Sequence, residues 1–180
     1  LMILILEGVD CAGKTWMAER LLKQAPNAYL IKHGNRPTED SAAAQFQLYQ
    51  NYKAMLDTYE FAINKSGGIL IFDRFYMSEL VYGPVTRGYN LLSKDYETEL
   101  RNRIKSFNHL YIEITATKDD IIQRMKTRGE YYLKVEHLDK IMEEYAEFYD
   151  RTTLQRARIK SGENSVDFLI NERIKNARQS

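Results

Sequence analysis

Cysteine is almost absent from this chain. The single thiol, Cys11, excludes an internal disulfide and leaves a zinc cluster without its usual ligands. It fits a reducing compartment. Charge of one sign is also missing: 26 Lys and Arg face 25 Asp and Glu, for a net charge of +1. That balance provides no field to hold a long polyanion, so it counts against a nucleic-acid partner. No apolar run approaches the length of a membrane span, so no membrane partner is expected. Repeats, linkers and low-complexity tracts are lacking as well. What remains is ordinary globular composition, 44% hydrophobic and 28% charged, and 180 residues suit one domain over 1–180 with a full core.

The most informative stretch is residues 2–15. An apolar run from Met2 to Leu6 reads as a buried parallel strand. It leads into Gly8-Val9-Asp10-Cys11-Ala12-Gly13-Lys14-Thr15, which fits G-x-x-x-x-G-K-[ST] at every fixed position. The segment opening with Trp16 has helical spacing, with apolar side chains at 17, 18, 21 and 22. Strand, loop and helix are the context in which such a loop wraps a phosphate, its N–H groups pointing at the oxygens from a helix N-terminus. Lys14 is expected to reach the β- and γ-phosphates of ATP and the Thr15 hydroxyl to ligate Mg²⁺. With this loop beginning at residue 8, no leader is expected ahead of it, and a soluble cytoplasmic protein follows.

Further strands are expected at 28–32, 69–72, 110–115 and 166–170. The strand at 110–115 alternates polar and apolar residues, which suggests partial exposure. Helices are expected at about 40–64, 93–106, 118–128 and 135–153. Gly83-Pro84 to Arg87-Gly88 reads as a loop, and 171–180 as a frayed tail. Strands alternating with helices imply an α/β fold, a parallel sheet covered on both faces.

Asp73 closes an apolar strand, where open α/β sheets place their ligands. It is either a second Mg²⁺-organising carboxylate or a helix cap. Arg74, next to it, is either a bidentate grip on a second phosphate or the partner in a plain ion pair. Arg124, Lys126 and Arg128 put three cations on about one and a half turns before Gly129. They form a solvated face or a mobile lid over phosphates. His33, His109 and His137 share no motif.

Taken together, these motifs resemble thymidylate kinases and, more broadly, the P-loop kinases of deoxynucleosides and their monophosphates. The resemblance rests on Glu7 to Thr15, on Asp73-Arg74-Phe75 with Ser78, and on Arg124 to Tyr145 with its Arg-Gly-Glu. It implies a three-layer P-loop NTPase fold of nucleoside monophosphate kinase type, with a five-stranded parallel sheet, an acceptor-binding helix at about 40–64 and a lid at about 124–136. The implied donor site is Gly8, Asp10, Cys11, Ala12, Gly13, Lys14, Thr15 and Trp16. The implied acceptor site is Asp10, Arg36, Tyr49, Lys53, Arg74, Ser78, Tyr82 and Tyr131, with Asp10 on the sugar 3′-hydroxyl, Arg36 and Arg74 on the phosphate, and Tyr49 and Lys53 on the base. Tyr82 would crowd the 2′ side and favour deoxyribose.

Lys14, Asp10, Arg74, Arg124 and Arg128 would be catalytic, and Thr15 and Asp73 would hold the metal. Cys11, where another subfamily has arginine, suits a lid that carries the catalytic arginine. The chain departs from the family at Gly83, where many members have Gln or Thr, and at Lys53, a point charge in place of a bidentate arginine. The expected reaction is phosphoryl transfer from Mg·ATP to a deoxynucleoside monophosphate, thymidylate-like by preference. Its rivals are a deoxynucleoside kinase, a kinase of a modified base in DNA, and a nucleotide-binding regulator. Family members commonly pair as homodimers, though no residue here fixes an interface.

Overall fold

The computed structural model describes residues 2–32, 40–63, 68–129, 133–162 and Asp167, without the side chains of 62 and 63. The elements in chain order are β1 (Met2–Glu7), α1 (Lys14–Gln24), β2 (Ala28–Lys32), α2 (Ala42–Ile63), β3 (Ile69–Asp73), α3 (Tyr76–Arg87), α4 (Lys94–Lys105), β4 (His109–Thr115), α5 (Lys118–Arg128), a single 3-10 turn (Val135–His137), α6 (Leu138–Arg151) and β5 (Arg156–Lys160). The strands form one all-parallel sheet in the order β2-β3-β1-β4-β5.

Apolar alternation explains the layers. Met2, Leu4 and Leu6 point to one face, where Met17, Ala18 and Leu21 of α1 cover them. Ile3 and Ile5 point to the other, beneath α2, α3, α4, α5 and α6. With both faces covered, β1 is buried along its whole length. Because β3 lies on one side of β1 and β4 on the other, a crevice opens at the carboxyl end of β1. The glycine-rich loop fills that place.

Three expectations are corrected. The fifth strand is Arg156–Lys160, whereas 166–170, Asp167 apart, lies outside the described residues. The residues from Gly83 to Arg87 are not a loop: α3 runs through Pro84 and ends at Gly88 in a left-handed cap. Glu79 of α3 pairs with Arg87 and accepts from the Leu91 amide at 2.9 Å, and Thr86 bonds back to the Tyr82 carbonyl at 2.7 Å. These bonds hold the last turns against the proline. Lastly, β4 is not half exposed, since every residue from His109 to Ile114 is buried. Its Glu113 is tolerated because Arg158 of β5 donates to it at 2.7 Å. No helix among the described residues is long and apolar enough to cross a membrane.

Candidate active site

The loop between β1 and α1 turns by left-handed backbone at Gly8 (φ 135°), Cys11 (φ 64°) and Gly13 (φ 109°). At Gly8 a side chain is excluded twice over: its φ disfavours one, and a Cβ would lie 2.3 Å from the Ile114 carbonyl oxygen. Gly13 stands at the N-cap of α1 and makes no side-chain cap, so the first amides of that helix stay available to an anion. Ala12 is buried, its amide bonded to Val9 O at 3.1 Å. Trp16 is partly exposed beyond the loop, with the Arg20 guanidinium 5.1 Å from its ring centroid.

Lys14 curls back into the loop, its ammonium donating to Gly8 O at 2.9 Å and Val9 O at 2.8 Å. Burial, and then the nearby Arg74 charge, push its pKa down to about 7. The carboxylates of Asp10, Glu7 and Asp73 oppose that shift without overcoming it. One residue on, the Thr15 hydroxyl donates to Asp73 Oδ2 at 3.3 Å, bringing a hydroxyl and a carboxylate together beneath the loop. Two hard oxygen donors of this kind suit Mg²⁺ completed by phosphate oxygens and water.

Arg74 follows Asp73 in the left-handed region (φ 73°), which turns its side chain away from the strand direction. Its Nη2 pairs with Asp10 inside the loop, and its Nη1 donates to Ser78 Oγ at 2.8 Å and Tyr145 OH at 3.1 Å. The Tyr82 ring lies under the guanidinium at 5.1 Å, and the Tyr82 hydroxyl accepts from the Asp10 amide at 2.9 Å. Burial opposes ionisation of Asp10, but Arg74 and Lys14 outweigh it and hold the carboxyl below its usual range. Burial likewise pushes Tyr82 up to about 12 and Tyr145 well above its usual value, so both remain neutral phenols.

Asp10, Lys14, Thr15, Asp73 and Arg74 border one cleft of about 510 Å³ that also takes in Cys11, Arg124 and Arg128, whereas Ser78, Tyr82 and Tyr145 stand behind Arg74 and do not line it. Arg124 of α5 reaches over the loop and donates to Cys11 O at 3.1 Å. Helix α5 begins at Thr117, whose hydroxyl caps the Asp120 amide at 3.2 Å, and it presents Arg124 and Arg128 on its exposed side. Tyr49 and Lys53 lie on α2. Tyr49 is buried, stacked on Tyr96 of α4 at 4.2 Å with its hydroxyl donating to Glu99, and the Lys53 ammonium is 6.0 Å from its ring centroid. Arg36 and Tyr131 lie outside the described residues.

The cleft brings together most of the residues singled out in the sequence, namely the loop, Asp73, Arg74, Arg124 and Arg128. It adds Lys32, at the carboxyl end of β2 and in register with Asp73. A lysine closing a strand beside the carboxylate strand was the available signal for it. Glu7 and Tyr145 were also passed over as site residues. A glutamate ending an otherwise apolar buried strand was the hint for the first, but the second comes from 71 residues beyond Arg74.

The sheet order, the phosphate loop and the flanking helices define a P-loop fold of the nucleotide-kinase type. No protein-family model matches the chain. In sequence it is similar to the SPbeta prophage-derived protein YorR of Bacillus subtilis (strain 168), 26% identical over 165 residues and 92% of each chain. The crystal structure of Bacillus subtilis YorR in complex with phosphorylated GDP superposes with a TM-score of 0.75 at 24% identity, covering 98% of this chain and 95% of that one. Thymidylate kinase from Candida albicans gives 0.69 at 17% identity (98% and 92%). Deoxyadenosine kinase from M. mycoides with bound dATP gives 0.57 at 17% identity, over the full length of both.

Proposed function

We propose that the chain transfers the γ-phosphoryl group of ATP to the phosphate of a deoxynucleoside monophosphate, with a thymidylate-like base preferred. The observation that carries this reading is Arg74. A half-buried guanidinium, bent by a left-handed backbone into the cleft beside the phosphate loop, provides a second anion site within reach of the first. Lys32 adds a further cation to the same cleft. A transferring phosphoryl group and a phosphate acceptor are both anionic, so catalysis is chiefly positioning and charge neutralisation.

In this reading the loop amides and Lys14 bind the β- and γ-phosphates. Mg²⁺ would be held by Thr15 and Asp73, and when bound it neutralises charge on the phosphate oxygens. Arg74 orients the acceptor phosphate, and Asp10, fixed by Arg74 and Tyr82, faces the acceptor sugar. Arg124 and Arg128 come in from α5 over the transferring group, and closure of that helix over the cleft excludes water. Tyr49 and Lys53 are assigned to the base side by resemblance.

A second reading, a kinase acting on a nucleoside 5′-hydroxyl, is favoured by the likeness to the deoxyadenosine kinase fold. A neutral hydroxyl needs a general base. Both carboxylates bordering the cleft among the described residues are already engaged, Asp10 by Arg74 and Asp73 by Thr15, which supports a phosphate acceptor. Offering Mg·ATP with each deoxynucleoside, each deoxynucleoside monophosphate and GMP in turn, and following ADP formation, separates the readings. Turnover with monophosphates, dTMP foremost, is expected. Turnover with nucleosides alone would establish the second reading. Arg74→Ala should cut acceptor use by about 10²-fold or more while ATP binding survives, and an undiminished rate would remove the acceptor assignment.

A further inference from the structure

The strongest polar cluster in the core is outside the phosphate-binding groups. Glu7, the last residue of β1, is fully buried, and four donors converge on its carboxylate. Oε1 accepts from the Phe75 amide at 2.7 Å and the Ser78 amide at 3.2 Å. Oε2 accepts from the Ser78 hydroxyl at 2.6 Å and the Tyr145 hydroxyl at 3.0 Å. The backbone half of this arrangement caps α3, whose own N-cap residue, Phe75, makes no side-chain cap.

The side-chain half has a different consequence. A hydroxyl has one proton to give. Ser78 and Tyr145 both give theirs to Glu7, so both turn lone pairs toward Arg74 Nη1, which donates to each of them. Without the carboxylate either proton is free to rotate toward the guanidinium and oppose it. Three of the five guanidinium donors are thereby committed, two to these hydroxyls and one to Asp10, which fixes the plane of the guanidinium.

We propose that Glu7 is a positioning residue for the acceptor phosphate, acting on Arg74 through the paired hydroxyls of Ser78 and Tyr145. The proposal rests on the assignment of Arg74 to an acceptor phosphate. It joins three distant parts of the chain, since Glu7 immediately precedes the phosphate loop, Ser78 lies on α3 and Tyr145 on α6.

The test uses Glu7→Gln, which keeps the shape and removes the charge, and Tyr145→Phe, which removes one hydroxyl. The KM for the monophosphate found active in the substrate panel should rise roughly ten- to a hundredfold in Glu7→Gln, the usual worth of a hydrogen bond to a charged group. The KM for ATP should stay within about twofold, since the donor contacts are intact. Tyr145→Phe should act the same way more weakly, and the two changes should be less than additive because they interrupt one relay. Equal rises in both KM values, or full additivity, would show that Glu7 serves only to fold the site.

A readout free of turnover separates this from the reaction itself. In nitrogen-labelled protein, the Arg74 guanidinium resonances, assigned through Arg74→Lys, should show hindered rotation at Nη1 that is lost in both variants, while Nη2 stays held by Asp10. Persistence of that hindrance would overturn the proposal even if the enzyme is a monophosphate kinase. Its loss would support the positioning role even if the acceptor is another anion. Should Glu7→Gln fail to fold for want of its cap, Tyr145→Phe alone carries both measurements, because it leaves the α3 amides bonded.

Discussion

Replacing Lys14 by Met offers a direct measure of how much strain the phosphate site holds when no nucleotide is present. Met matches the lysine stem in length and lacks the charge. In the folded chain Lys14 titrates at about 7, against an ordinary 10.5, chiefly because it is buried and next because Arg74 is close. A lysine depressed in the native state makes the unfolded chain the better proton binder between those two values. Stability therefore rises with pH across that window, and the whole penalty is present below about pH 7. At 1.36 kcal/mol per pH unit, wild type should gain about 2.5 kcal/mol on the variant between pH 6 and pH 9. For a chain of this size that corresponds to about 5–10 °C in Tm.

Groups other than Lys14 cancel in the comparison, and the carbonyls of Gly8 and Val9 lose their donor equally at every pH. Melting both nucleotide-free proteins across this range tests the argument, and parallel pH curves would refute it. Nucleotide binding should run the other way. The phosphates restore the lysine's ordinary preference for its proton, so binding at about pH 8.5 should take up about one proton, measured calorimetrically in two buffers of different ionisation heat. The contribution of that charge to affinity is complete below about pH 7 and fades as pH rises toward the bound-state value.

Two other substitutions probe the frame around the site. Gly8→Ala forces a Cβ to 2.3 Å from Ile114 O at a φ of 135° and should cost more than about 3 kcal/mol, read as loss of the cooperative melt or of soluble protein; a wild-type melt would show that the loop and β4 do not touch in solution. Arg158→Met leaves buried Glu113 without its donor and should cost about 2 kcal/mol at pH 7. Burial already raises the Glu113 pKa, and removing Arg158 raises it further, so this variant should recover stability relative to wild type as pH falls toward 5. An equal deficit at both pH values would contradict that.

The sequence displays what local spacing encodes. An apolar strand, a glycine-rich loop and an amphipathic helix adjoin one another, so β1, the loop and α1 are readable without any long-range information, and so is the carboxyl-terminal placement of Asp73. The fifth strand is not readable in that way. Arg156-Ala-Arg-Ile-Lys160 is an edge strand with mostly exposed side chains, and it lacks the apolar run that marks central strands. Its place is set by register against Tyr111 to Thr115. Pro84 misleads for a similar reason, because the bonds that keep α3 helical come from Glu79, Arg87 and Leu91 rather than from the local dipeptide. The chemistry of Arg74 is visible as a motif, but its partner Tyr145 is a matter of tertiary packing.

The contacts at Asp10 tie the phosphate loop to Arg74, so in the proposed reading the donor and acceptor sides of the cleft are coupled. The Asp10 amide is held by Tyr82 and its carboxylate by Arg74, so one residue of the phosphate loop is fixed through its backbone from α3 and through its side chain from the turn before α3. Arg74 in turn is the second cause of the depressed Lys14 pKa, which means that the two cations oppose each other across the loop. An anion settled on Arg74 offsets that repulsion and lets Lys14 hold its proton, which strengthens its grip on the triphosphate. By linkage, in the proposed reading, the protonation of Lys14 responds to an anion on Arg74 to the same degree as anion binding at Arg74 responds to that proton.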